Sequence, residues 1–253
     1  MPRGEKEEVK INLLDEKKLV TIMKRFLGTK KSDPEVTKYF RVENGLHYMA
    51  TSMGSAVWIH FENKFDGSFT VGNGKSFFRK PLPKDKFVDV VAIPEIITYK
   101  DGNKNIEQAT GRTLDYPDIP KMFSEHQLEN FEDIEIKTSD VDSFISVHEA
   151  MSKVSKIGGL YNTTFMDIKD NVIKISLHDS PLTLGWEYVI PNQNVHFEYY
   201  YDFDLMMNIF KSLKDMKVDK ISMYVKDENH PIIFTGRTLE YNYKFAINRK
   251  LVR

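Results

Sequence analysis

The sequence predicts an α+β fold built from two similar units in tandem. Three observations carry that expectation. The segment Thr110-Gly-Arg-Thr-Leu-Asp-Tyr116 returns as Thr235-Gly-Arg-Thr-Leu-Glu-Tyr241, an offset of 125 residues in a chain of 253. In each half an amphipathic helical stretch precedes segments that alternate apolar and polar residues with period two. The pairs Asn44-Gly45, Asp66-Gly67, Asn73-Gly74 and Asp101-Gly102 suit the tight turns of antiparallel hairpins. Helices lying on antiparallel sheet are the layer arrangement such a pattern supports.

Further landmarks support duplication. Lys100-Asp101 and Lys226-Asp227 each follow an alternating stretch, 126 residues apart, and Asn44 and Asn171 stand 127 apart within similar alternating segments. Asp15 and Asp140, offset by 125, each open a helical pattern. A period of half the chain means two domains and not a solenoid. The expected division is 1–120 for the first domain, 121–133 for a connector and 134–253 for the second. Tyr116-Pro-Asp-Ile-Pro120 would stop a strand with two prolines, and Lys121 to Asn130 reads as the connector.

Taken in order, the polar start Met1 to Glu8 has no apolar core and is expected to be a frayed tail. A helix is expected from Asp15, as N-cap, to Leu27, with Gly28 as its stop. At 100° per residue Leu19, Ile22, Met23, Phe26 and Leu27 gather on one side. Lys17, Lys18, Lys24 and Arg25 gather on the other. The short Lys84 to Val91 stretch is expected to be a second helix, although it is rich in Val. In the second half a helix capped by Ser139 or Asp140 should reach Ile157 and end at Gly158-Gly159. Phe144, Val147, Met151 and Val154 form its apolar face, and Lys153 and Lys156 lie opposite, diluted by Asp142 and Glu149. A last helix, about Asp204 to Met216, should bury Leu205, Met206, Ile209, Phe210 and Leu213 and turn Lys211 and Lys214 outward beside Asp215.

Composition narrows the function classes. Lys and Arg number 36 against 37 Asp and Glu, a net charge of -1, which excludes a uniformly basic polyanion binder but not a basic patch. Cys is absent, so disulfides, thiolate metal sites and a cysteine nucleophile are excluded, and a reducing cytoplasm is the expected compartment. No apolar run approaches the ~18 residues of a membrane span. The seven histidines never fall at i, i+2 or i, i+4 spacing. Gly74-Lys75-Ser76 resembles the end of a phosphate loop, but Phe69 stands where that loop needs its first glycine. No G-x-S-x-G elbow is present. The expectation is therefore a protein that is not an enzyme and carries no cofactor or metal. A competing reading, an enzyme acting on phosphorylated substrates through Arg112 and Arg237, stays open at this level.

The concentrated lysines admit two readings. Any amphipathic helix carries solvated lysine. Alternatively, Lys17, Lys18, Lys24, Arg25, Lys153, Lys156, Lys211 and Lys214 line one surface that meets a polyanion. With no aromatic platform and no Asn/Gln/Arg cluster beside them, such contacts would be to phosphate and independent of base sequence.

Tandem helix-and-sheet units with basic outward helices resemble the DNA sliding clamps, the processivity factors of replicative polymerases. The likeness is greatest to the two-domain clamps, of the T4-type bacteriophage kind. It is carried by Glu95-Ile-Ile-Thr-Tyr-Lys-Asp-Gly-Asn-Lys-Asn-Ile106 leading into Tyr116-Pro-Asp-Ile-Pro120, and by Asp140 to Val154. Asp170-Asn-Val-Ile-Lys-Ile-Ser176 and Ile232-Ile-Phe-Thr-Gly-Arg237 leading into Tyr243-Lys-Phe-Ala-Ile247 complete it. The short second helix of the first unit and the polar N-terminal extension depart from the pattern.

The resemblance implies a ring of six such domains, hence a homotrimer encircling double-stranded DNA, with DNA polymerase and a clamp loader as partners. It implies a joint between edge strands, Ile106–Leu114 from one subunit and Asn171–His178 from the next. Ile106, Thr110, Leu114, Val172, Lys174 and Ser176 would sit at that joint. It further implies an apolar pocket for partner peptides formed by Met122, Phe123, Leu128, Leu251 and Val252, although the same connector residues could simply staple it to the sheet. The expected location is the host bacterial cytoplasm, if the protein is viral. A monomeric accessory or adaptor that binds DNA without encircling it is the remaining alternative.

Overall fold

The computed structural model of the chain describes residues 8–43, 45–51, 55–61, 68–72, 87–93, 96–101, 103–109, 117–125, 128–158, 163–177, 185–189, 196–239 and 241–250. The first unit contains β1 (Glu8–Asn12), α1 (Leu13–Lys24), β2 (Tyr39–Glu43), β3 (Leu46–Ala50), β4 (Ala56–Phe61) and β5 (Ser68–Gly72). It continues with β6 (Phe87–Ile93), β7 (Ile96–Asp101), β8 (Lys104–Ala109) and the start of α2 (Ile119–Glu125). The second contains β9 (Glu132–Lys137), α3 (Thr138–Gly158), β10 (Thr163–Lys169), β11 (Val172–Leu177), β12 (Gly185–Val189) and β13 (Phe197–Asp202). It ends with α4 (Phe203–Asp215), β14 (Lys220–Val225), β15 (Ile232–Arg237) and β16 (Tyr241–Ile247). The division into compact units falls between Phe123 and Ser124, with 240–242 grouped with the first unit and 53–55 with the second.

Strand order shows the duplication. Unit one has the orders β1-β6-β7-β8 and β5-β2-β3-β4, and unit two has β9-β14-β15-β16 and β13-β10-β11-β12. Strand for strand these are the same pattern. Pairing is antiparallel throughout β1·β6, β6·β7, β7·β8, β10·β11, β10·β13 and β11·β12. The Asn44 and Asn171 landmarks mark equivalent hairpin turns, β2 to β3 and β10 to β11. Gly45 takes φ 81°, and Asp170 and Asn171 take φ 51° and 64°. Two successive left-handed residues are what a type I′ hairpin needs, and Asp and Asn tolerate them best after Gly.

The repeated heptapeptide is not at equivalent positions. Its second copy runs from the end of β15 into β16, whereas the first follows β8, and β8 is the counterpart of β16. Likewise Asp101 ends β7 while Asp227 follows β14, the counterpart of β6. The offset between counterpart strands grows from 124 residues at β1 and β9 to 137 at β8 and β16, so a constant sequence offset cannot hold to the end of each unit. The first copy itself, 110–116, lies outside the described residues.

Local physics accounts for the helices. Asp15 and Asp140 are each the third residue of a helix, not its N-cap, and the first-turn carboxylate of Asp140 complements the dipole of α3. The Thr138 hydroxyl at the start of α3 donates to the carbonyls of Val218 and Asp219. Asp202 caps α4, accepting from the Leu205 N–H at 2.9 Å. That helix closes on Lys217, at φ 54°, with Lys217 N–H bonded to Lys214 O at 3.0 Å and Val218 N–H to Leu213 O at 3.3 Å. This is the bonding of a Schellman close, and Val218 and Leu213 supply its buried apolar pair.

Two expected elements are corrected. The helix expected over Lys84 to Val91 is replaced from Phe87 onward by β6, paired with β1 and β7, and 84–86 lie outside the described residues. Val88, Val90 and Val91 favour the strand, and two partners outbid a short helix. The first helix ends at Lys24, so Phe26 and Leu27 are buried from a turn beyond it. Gly28 is needed because a Cβ there would lie 2.6 Å from Thr37 Oγ1, while its N–H donates to Thr37 O.

In unit two the core is built on aromatic rings. Phe144 of α3 stacks on Phe210 of α4 with centroids 3.6 Å apart, and Phe210 meets Phe234 of β15 edge-on at 5.6 Å. His148, fully buried, lies against Phe144 at 3.7 Å. Its Nδ1 donates to Phe144 O at 3.0 Å, and its Nε2 accepts from the Tyr201 hydroxyl at 3.3 Å.

Candidate nucleic-acid interface

The polar sides of three helices carry the candidate cations. On α1, Lys18 and Lys24 are exposed, and Arg25, in the turn that follows, is half-buried. On α3, Lys153 is exposed, and on α4, Lys214 is exposed and Lys211 half-exposed. Lys17 and Lys156 belong to α1 and α3, but their side chains lie outside the described residues. The apolar sides behave as periodicity requires: Leu19, Ile22 and Met23 on α1, and Leu205, Met206, Ile209, Phe210 and Leu213 on α4, are buried.

In unit two the cations do not stand alone. Lys211 Nζ lies 3.0 Å from Glu149 Oε1, and Lys214 Nζ lies 2.5 Å from Asp142 Oδ1, each pair joining α4 to α3. The hydrogen bond to Lys211, and then its charge, hold the Glu149 carboxyl below its ordinary range. Asp142 raises the Lys214 ammonium above its own. Asp140, Asp142, Glu149, Asp204 and Asp215 therefore offset Lys153, Lys156, Lys211 and Lys214 along these two helices. Periodicity placed the acids near the lysines, but contacts between helices have no sequence period, so the pairing was not legible.

The histidines give no metal chemistry among the described residues, where no group of three His, Cys, Asp or Glu could hold an ion. Burial drives both His47 and His148 down to about 3, so both are neutral core residues. Arg237 is exposed at the end of β15, and Arg112 lies outside the described residues. No helix among the described residues is long and apolar enough to cross a membrane.

The connector and the tail are described in part. Ile119 and Phe123 of α2 are 2% and 3% exposed, so Phe123 packs inward, while Met122 and Leu128 are half-buried. Leu251 and Val252 lie outside the described residues. The preceding segment is tied down: Lys250 N–H donates to Tyr200 O at 2.8 Å, and Arg249 Nη1 lies 2.7 Å from Glu228 Oε2.

No protein-family model matches the sequence, and no curated protein matches it. Solved structures do. The DNA polymerase III subunit beta of Pseudomonas aeruginosa superposes with a TM-score of 0.72 at 10% identity, over 98% of this chain and 69% of that one. The DNA polymerase sliding clamp of Bacillus subtilis gives 0.69 at 17% identity, over 99% and 67%. The proliferating cellular nuclear antigen of Entamoeba histolytica gives 0.66 at 12% identity, over 96% of this chain and 98% of that one. The fold is the sliding-clamp fold.

Within that fold, one expected joint strand is corrected. Asn171–His178 was to be an edge, but β11 is paired on both sides, with β10 and with β12. Val172, Lys174 and Ser176 therefore have their strand's backbone groups engaged inside a sheet. Among the described strands that sheet ends on β12 and on β13 instead, and Val189 of β12 is 70% exposed. In unit one, β8, which holds Ile106, is a sheet end among the described strands, and Thr110 and Leu114 lie outside them. The missed edge had a signal in Gly185-Trp-Glu-Tyr-Val189, a short alternating stretch that follows the β11 hairpin.

Proposed function

We propose that this protein is a DNA sliding clamp: a homotrimeric ring of six units that encircles duplex DNA and tethers a replicative DNA polymerase. The observation that carries the reading is the clamp fold over essentially the whole chain, matched end to end by the Entamoeba structure. The duplicated strand order supports it, because a ring of like units needs like units within each chain. The open ends of β8 and β12 supply complementary edges for head-to-tail closure, and pairing them would remove two exposed edges at once. On this reading Ile106, with Thr110 and Leu114 beyond it, meets β12 of the next subunit.

The helices would face the duplex, so that Lys17, Lys18, Lys24, Arg25, Lys153, Lys156, Lys211 and Lys214 approach phosphates without reading bases. Polymerase and clamp-loader peptides would dock beside Met122, Leu128, Leu251 and Val252, with Phe123 serving as the staple beneath. The domains 1–120 and 134–253, joined by 121–133, would be the repeating bodies of the ring. The role is non-enzymatic and needs no cofactor. A T4-type bacteriophage origin, with work in the host bacterial cytoplasm, fits the two-unit chain.

Sedimentation equilibrium tests the subunit number, and retention on circular DNA tests encirclement. The expected results are three subunits and a complex that survives salt on a closed circle and is lost when the circle is cut. A strict monomer whose duplex binding falls steeply with salt on circles and linear DNA alike would establish the non-encircling accessory instead.

A further inference from the structure

We propose that Asp142 and Glu149 set the affinity of unit two's helix layer for DNA by occupying the two α4 lysines. A duplex phosphate then competes with a carboxylate for Lys214 and for Lys211. The inference rests on the clamp reading above and names the residues that keep its DNA contact weak.

The geometry is fixed from below. The Phe144–Phe210 stack locks α3 against α4, and Asp142 and Glu149 flank Phe144 along α3. Lys211 and Lys214, a turn apart on α4, both follow Phe210 on the helix. The seam therefore presents Lys214 to Asp142 at 2.5 Å and Lys211 to Glu149 at 3.0 Å. These pairs stay at the surface, with the lysine side chains 55% and 39% exposed. A surface pair is weak enough to exchange with an arriving phosphate and strong enough to compete with it. After Lys211, the charge of Lys153 also helps hold the Glu149 carboxyl below its ordinary range. A protein that must move along a duplex gains from contacts that exchange quickly, and a carboxylate waiting beside each ammonium provides that exchange.

The test uses the full chain and a short linear duplex, titrated over a range of salt. D142N/E149Q is expected to tighten binding about tenfold at low salt and to steepen the log K against log salt slope by between about 1 and 2. E135Q is the matched control: it frees Lys220 from a 3.2 Å pair on the β9–β14 sheet and should change affinity less than about twofold. Adding K211Q/K214Q to D142N/E149Q should abolish the gain. No gain, an equal gain from E135Q, or a gain that survives loss of the α4 lysines would overturn the proposal. Circle retention of the wild-type protein separates the two readings. Retention without a D142N/E149Q gain sinks the lysine-occupancy proposal alone, and a lysine-dependent gain without retention sinks encirclement alone. Urea unfolding of each variant confirms that the compared proteins are folded.

Discussion

The Tyr243 phenol of β16 fills the space that a side chain at Gly236 of β15 would need: a Cβ there would meet Tyr243 Oη and lie 2.7 Å from its Cζ. Tyr243 is buried, and its hydroxyl has no hydrogen-bond partner among the described residues. Gly236→Ala should therefore destabilise unit two by about 1–3 kcal/mol through overpacking. Tyr243→Phe should be neutral or stabilising, because it removes a buried hydroxyl that bonds to no described residue. The double variant should recover part of the alanine loss, a coupling that urea midpoints in a double-mutant cycle would show.

Lys217 closes α4 in the left-handed region, at φ 54°, where a Cβ is strained. Replacing it with Gly keeps the Schellman bonds and relieves that strain. Lys217→Gly should raise stability by about 0.5–1 kcal/mol, read as a higher urea midpoint with unchanged m-value. An Ala at the same position should not.

Acid should weaken the fold through two buried histidines. His47 and His148 titrate near 3 when folded and near 6.5 when unfolded. Above pH 6.5 neither state is charged, and the stability is fully present. As pH falls from 6.5 toward 3 the unfolded chain takes up protons that the folded one refuses, and stability is lost. By pH 4 the loss is roughly 3 kcal/mol per histidine. Stability measured against pH should fall through this window, and His148→Phe should flatten its share of the slope even if it lowers stability at neutral pH.

Val189, 70% exposed at the open end of β12, offers the cleanest variant against ring closure. In the proposed ring, Val189→Asp should convert trimers to monomers in sedimentation equilibrium. Because the side chain is exposed within the subunit, the unfolding free energy of the isolated subunit in urea should change by less than about 0.5 kcal/mol. An unchanged trimer would place the joint elsewhere.

The duplicated α+β fold was legible because hydrophobic period and turn chemistry are local. Leu19, Ile22 and Met23 in α1, and Leu205 to Leu213 in α4, announce their buried faces from spacing alone. The Asn171 turn announces the β10–β11 hairpin in the same way. The heptapeptide beginning at Thr110 and Thr235 pointed to the right architecture in the wrong register, because identical words need not occupy equivalent strands when the offset between counterpart strands grows along the chain. Lys84 to Val91 failed for a related reason: eight residues cannot tell a helix from a strand whose partners, β1 and β7, lie elsewhere in the chain.

By itself the sequence determined what short-range physics determines: two units, the faces of their helices, the absence of thiol chemistry, and where lysines gather. Tertiary structure alone decided which strand ends a sheet, turning the expected edge from β11 to β12, and which carboxylates meet the lysines of α4. Those are contacts between residues tens of positions apart. Pairing of that kind depends on how whole elements stack, and no spacing along the chain records it.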